Sequence, residues 1–260
     1  MVKIIERVIK KVEPLKDAVL IEGLPGIGHV GRIAAEHLIQ EFQGEKVLEL
    51  YCYDFPPQVL VNEDGTIESM NNEIYIIREP IPMIVVTGNT QALSPIGQYQ
   101  LSERLVEIGI KYGARITYTL GGFGIGRIKE DPLVYVAATS KELAERIKAH
   151  GALFRADGGG IVGAAGLMLT FSKLMGIEGA CLMGETPGYL IDPKSARKVL
   201  EVLAKVLNIE IDMGELEKRA REMEAFLERI RRFEKQLEQG HLMIREKDKR
   251  QREEDLRYIG

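Results

Sequence analysis

The chain has 260 residues, of which 45% are hydrophobic and 28% charged, the composition of a soluble globular protein with room for a sizeable core and an appendage. A net charge of −4 and a pI near 5.8 provide no global basic field, which argues against nucleic acid and anionic membrane as partners. The opening residues Met1-Val-Lys-Ile-Ile-Glu-Arg mix charge into apolar positions, and no apolar run is long enough to span a bilayer, so a cytoplasmic location is expected.

Along the chain, short apolar runs alternate with amphipathic stretches from Val2 to about Leu207, the pattern of an α/β domain. The first strand expected is Ala18–Glu22. It leads into Glu22-Gly-Leu-Pro-Gly-Ile-Gly-His-Val-Gly31 and a helix over Gly28–Gln40. Gly26, Gly28 and Gly31 spell G-x-G-x-x-G in the strand-to-helix context of a dinucleotide site, with Glu49 near the spacing of a ribose contact. The other reading is architectural: a tight turn with close helix packing also selects glycine, and Pro25 removes an N–H donor that a phosphate cradle would use. The architectural reading is preferred, and the nucleotide reading is kept as the alternative.

Further strands are expected at Lys46–Cys52, Glu73–Ile77, Met83–Thr87, Arg115–Leu120, Val134–Ala138 and Glu178–Met183. Helices are expected at Ile96–Tyr112, Ser140–Lys148, Gly163–Met175 and Lys194–Leu207. Asn62-Glu-Asp-Gly65 signals a hairpin turn after Val59-Leu-Val61, which makes the sheet mixed. Ser140 and Asp192-Pro193 read as helix starts. Gly121-Gly-Phe-Gly-Ile-Gly126 reads as a turning connection at the sheet edge. Glu185-Thr-Pro-Gly-Tyr189 and Asp54-Phe-Pro-Pro57 are placed together as lining for a pocket. Cys52 and Cys181 sit far apart in apolar surroundings and read as buried free thiols.

After Asn208 the composition changes, with thirteen acidic and thirteen basic residues between Asp212 and Gly260. Leu216, Ala220, Met223, Leu227, Ile230, Leu237 and Ile244 follow alternating steps of four and three, with Glu234 and His241 in the two skipped positions. This narrow stripe predicts a long helix that associates with copies of itself, against the alternative of a charged helix lying along its own body. Two domains follow, residues 1–207 and 208–260.

Chemistry is sparse. His29, His37, His150 and His241 form no metal-ligand spacing, and G-x-S-x-G, phosphate-loop and kinase signatures are absent from the sequence. No catalytic residue, metal or cofactor is therefore assigned.

Several ordered motifs together resemble the PAC2 family, the proteasome-assembly-chaperone homologues. They are Glu22–Gly31 with the following Ala34-Ala-Glu-His-Leu38, Phe55-Pro-Pro57, Leu120-Gly-Gly122, Gly160-Ile-Val-Gly-Ala-Ala-Gly-Leu167 and Gly184-Glu-Thr-Pro-Gly188. The resemblance covers roughly residues 1–207. It implies an α/β fold with a mixed sheet flanked by helices, a nucleoside-phosphorylase-like core without established activity, here followed by a C-terminal long-helix extension. It also implies a non-enzymatic, homo-oligomeric, chaperone-like role in proteasome assembly or activation, with proteasome α-subunits or related assembly factors as partners. Proteasome activators commonly end in a hydrophobic-Tyr-any tail. This chain ends Leu256-Arg-Tyr258-Ile259-Gly260, a departure read as a degenerate docking motif against the alternative of a frayed end. Two other functions stay open: a nucleotide- or nucleoside-handling enzyme using the Gly26/Gly28/Gly31 turn, and an assembly scaffold with no proteasome link.

Overall fold

A computed structural model describes residues 2–156, 158–223, 225–226 and 229. The strands are β1 (Ile4–Val8), β2 (Ala18–Glu22), β3 (Glu45–Cys52), β4 (Val59–Val61), β5 (Ile67–Ser69), β6 (Asn72–Ile77), β7 (Met83–Gly88), β8 (Ala114–Gly124), β9 (Val134–Ala138) and β10 (Glu178–Thr186). The helices that cover them are α1 (Val30–Glu41), α2 (Pro95–Lys111), α3 (Lys141–Lys148), α4 (Ala164–Leu174) and α5 (Pro193–Leu207).

The main sheet has eight strands in the order β1-β3-β6-β7-β2-β8-β10-β9. Its centre, β7-β2-β8-β10, is parallel, and β6, β3, β1 and β9 add antiparallel strands on the two sides. β2 and β7 are buried at every position, as their near-continuous apolar sequences require for parallel strands covered on both faces. One face packs on α1, α3 and α5 through residues such as Leu38, Leu143 and Leu200. The other packs on α2 and α4 through Leu105 and Met168. Side-chain alternation divides β2 between them, with Val19 and Ile21 on the α1 side and Ala18 and Leu20 on the α2 side.

Local chemistry starts the helices where expected. Ser140 Oγ accepts from Leu143 N at 3.2 Å and Asp192 Oδ1 from Ser195 N at 2.9 Å, each satisfying a donor of the first turn. β4 and β5 form the expected antiparallel hairpin, closed by Gly65 N donating to Asn62 O at 2.9 Å.

Three expectations need correction. β1 was not expected, because its residues, Ile-Ile-Glu-Arg-Val, are largely exposed and an edge strand lacks the signature of burial. The Gly121–Gly126 segment is not an edge connection. Gly121–Gly124 continue β8 in the middle of the sheet, paired in parallel with Met183–Thr186, because backbone pairing carries the ladder past the last apolar side chain. Finally, the chain divides into Met1–Leu216 and Glu217–Gly260 rather than after Leu207. Ile211, Met213 and Leu216 follow α5 and still pack into the core, with His37 Nε2 2.7 Å from the Asp212 carbonyl oxygen.

Candidate functional site

Glu22, the last residue of β2, pairs with Thr119 within β8, and Thr119 with Cys181 within β10, while β8 and β10 run on past the end of β2. Alternation along β2 puts Glu22 on the same face as Ala18 and Leu20, toward α2 and α4. In front of this row lies a cavity of about 580 Å³. Gln91 and Gln98 contribute from the α2 side, Gly160, Ile161, Val162 and Gly163 from the segment before α4, and Leu120–Gly124 from the end of β8. Val162 is 93% exposed, so the cavity meets solvent there. Its position, beyond the carboxyl ends of parallel strands, is where open α/β sheets build ligand sites.

Glu22 is only 1% exposed. Its Oε1 accepts from Leu24 N at 2.9 Å, while its buried Oε2 accepts no hydrogen bond from the protein. Burial, only partly offset by the Leu24 bond, pushes the carboxyl up from 4.5 to about 7. Burial also pushes the neighbouring Cys181 thiol up to about 12, with Thr119 opposing and the charge of Glu22 adding to the rise. A thiol in that environment stays protonated and unreactive at neutral pH.

The chain holds a second buried carboxylate for comparison. Glu185 is bonded by Lys129 Nζ at 2.6 Å, Leu133 N at 2.9 Å and Tyr135 Oη at 3.1 Å. Burial acts to raise it, yet these donors outweigh burial and hold it below the ordinary carboxylate range. Glu185 is a completed structural network, whereas Glu22 is an acceptor left open on a cavity.

The glycines divide by role. At Gly31 a Cβ would lie 2.0 Å from the Leu120 carbonyl oxygen, so this residue lets α1 close onto β8. Gly28 adopts φ +63° with Thr186 Oγ1 against it, completing the turn. Both roles are architectural. Gly26 and Gly31 reach the cavity wall, whereas Gly28 does not. No Lys, Arg or His lies among the described residues that line the cavity, and the carboxyl of Glu22 disfavours an anion there. Gly121 and Gly160 behave differently: a Cβ at either would meet nothing within 4 Å.

Other expected site residues are dispersed. Glu49 is engaged by Arg7 at 3.2 Å, Lys46 at 3.3 Å and Tyr51 at 2.8 Å on β3, and is not part of the cavity. Glu185–Tyr189 and Asp54–Pro57 do not line it either, because Glu185 turns to Lys129 and Asp54 Oδ2 accepts from Ser94 N at 2.7 Å. Cys52 and Cys181 are buried free thiols. His29 sits at the start of α1 in a left-handed conformation, φ +52°, without a side-chain cap bond. Of the heptad residues, Leu216 is fully buried in the core of the body, which removes it from any seam offered to a partner. Ala220 is buried and Met223 half-buried. Leu227, Ile230, Leu237, Ile244, Leu256, Tyr258, Ile259 and Gly260 lie outside the described residues. Glu22 itself was missed as a site residue. Its signal was available, since strand alternation places an acidic residue on an inward face behind Ala18 and Leu20.

The chain belongs to the PAC2 family, whose profile matches residues 20–231. It is 66% identical to the uncharacterized protein MJ1210 of Methanocaldococcus jannaschii, over 100% of this chain and 99% of that one. Among solved structures it is similar to PbaB of Pyrococcus furiosus, an archaeal proteasome activator, at 38% identity and a TM-score of 0.83, covering 89% of this chain and 100% of that one. It is also similar to P. furiosus PbaA, an archaeal homolog of proteasome-assembly chaperone, at 27% identity and a TM-score of 0.72, covering 88% and 96% of the two chains.

Proposed function

We propose that this protein is a chaperone-like component of the proteasome system, acting in assembly or activation as a homo-oligomer and not as an enzyme. The observation that carries this reading is the likeness to the P. furiosus proteasome activator, at 38% identity over the whole of that chain. Fold alone does not confer function, so the surface matters as well. Val59, Leu60, Val61 and Ile67 of the β4–β5 hairpin are all exposed, an unusual apolar display for a two-stranded ribbon. Leu93, Ile96 and Tyr99, around the start of α2, add further exposed apolar area. Such surface is suited to protein–protein contact. In this reading, copies associate through the C-terminal stripe beyond Leu216, and the Leu256–Gly260 tail docks on proteasome α-subunits. The nucleotide alternative has weaker support, because two of its three glycines are needed for packing and the cavity presents a carboxyl where a phosphate would need donors.

The test is size-exclusion chromatography of the full chain and of a chain ending at Met223, each mixed with archaeal proteasome α-subunits. Cutting at Met223 spares Leu216, which belongs to the core. The full chain is expected to elute as an oligomer and to carry α-subunits with it, and the shortened chain to lose that co-elution. Unchanged co-elution of the shortened chain would remove the role given to the tail. An oligomer that captures no α-subunit would favour a scaffold without a proteasome link and overturn the reading.

A further inference from the structure

Two independent features make the cavity in front of Glu22 a built site. The first is the carboxyl of Glu22, 1% exposed, with Oε2 accepting nothing from the protein. A buried acceptor without a donor is destabilising, so a chain carrying one retains a demand for a hydrogen-bond donor. The second is the pair Gly121 and Gly160. Packing requires glycine at Gly31, but not at these two, where a Cβ would enter open space on the cavity wall.

The walls say what would fit. Leu24, Ile27, Phe123, Ile161 and Met183 make them largely apolar, and Phe123 stands in a T-shaped contact with Tyr135 at 5.4 Å. The amide of Gln91 is already engaged: its Nε2 donates to Pro25 O at 2.6 Å, and its Oε1 accepts from Ala164 N at 3.2 Å. Gln98 Nε2 likewise donates to Ala92 O at 2.6 Å and to Gln91 Oε1 at 3.3 Å, which leaves Glu22 as the lining side chain whose buried oxygen meets no protein donor, in a largely apolar cavity of about 580 Å³, a size that holds a small organic molecule. No Lys, Arg or His lines the cavity among the described residues, although the Arg155 guanidinium lies 4.4 Å from the ring centroid of the lining Phe123; on the wall itself the Glu22 carboxyl favours a donor over an anion.

We propose that this cavity binds a small planar, mostly apolar molecule presenting an N–H donor edge to Glu22, an aminoheterocycle or amidine in chemical class. Its flat body lies between the glycine backbone of Gly121–Gly122 and the apolar segment Gly160–Gly163, and its N–H groups bond the Glu22 carboxyl. Such binding is separate from the proteasome-related reading and holds whether or not that reading does.

The probe is 2-aminobenzimidazole, titrated into the full chain and followed by isothermal titration calorimetry and ligand-observed NMR. Saturable one-site binding is expected. Glu22→Gln presents an N–H₂ in place of the open acceptor and is expected to weaken binding by about tenfold or more, with no fall in the thermal midpoint. Gly121→Val keeps Glu22 and places three carbons on the cavity wall, and is expected to weaken binding by about tenfold or more. Indene, similar in shape but without N–H donors, should bind at least about tenfold more weakly than the probe. Failure of the unmodified chain to bind at millimolar probe, or affinity within about twofold of the unmodified chain in Glu22→Gln, overturns the proposal.

Discussion

Glu22 shows how one residue couples stability to pH. Its carboxyl has a folded value of about 7 against an ordinary 4.5, so the folded state holds its proton more tightly than the unfolded chain does. Below pH 4.5 both states are protonated and the full stability is present. As pH rises from 4.5 through 7 the unfolded chain ionises first, and roughly 3 kcal/mol of stability is lost across that window. Glu22→Gln cannot titrate. Its stability relative to the unmodified chain should therefore rise across the same window, as read by urea denaturation at its two ends, and a flat difference would place the carboxyl in an ordinary environment. The glycines give a second contrast at this scale. Gly31→Ala drives a Cβ into the Leu120 carbonyl and is expected to cost at least about 2 kcal/mol, whereas Gly121→Ala enters open space in a strand and should cost little. The same denaturation series measures both. The sequence made the turn at Gly26–Gly31 legible, because glycines before a helix have a limited set of uses. It could not separate glycines held by packing from those that leave a space, since that depends on which strand lies opposite.

At the scale of elements, the apolar runs and caps placed most strands and helices of the body. Ala18–Glu22 and Val134–Ala138 match their strands at both ends, and Asp192-Pro193 starts α5. What failed has a common cause. β1 is a largely exposed edge strand that carries Glu6 and Arg7, and β8 and β10 run on through glycines whose pairing is carried by backbone rather than by side chains. The heptad stripe was legible as a pattern, yet its first member serves a different purpose. Leu216 satisfies the seven-residue rhythm and is fully buried in the body's core with Ile211 and Met213 packed on the same cluster. Periodicity identifies an apolar face without naming what covers it. Leu216→Ala is therefore expected to lower the unfolding free energy by about 2–5 kcal/mol at a fixed oligomeric state, measured by chemical denaturation at several protein concentrations. A change in oligomer size with no loss of stability would instead return Leu216 to the seam.

At the scale of the molecule, the parallel centre of the sheet positions a cavity at its carboxyl ends, while the β4–β5 hairpin holds apolar side chains in solvent. These are separate surfaces suited to separate partners, a small molecule in one case and protein in the other. Family membership was legible from several motifs in order, although the motifs mark the glycine turns that build the fold more than the acceptor that completes the cavity. The central claim concerns the protein partner. Native mass spectrometry of the full chain, alone and mixed with archaeal proteasome α-subunits, tests it most directly. The account predicts a defined oligomer that captures α-subunits in a discrete complex; a monomer that leaves the α-subunits untouched would contradict it.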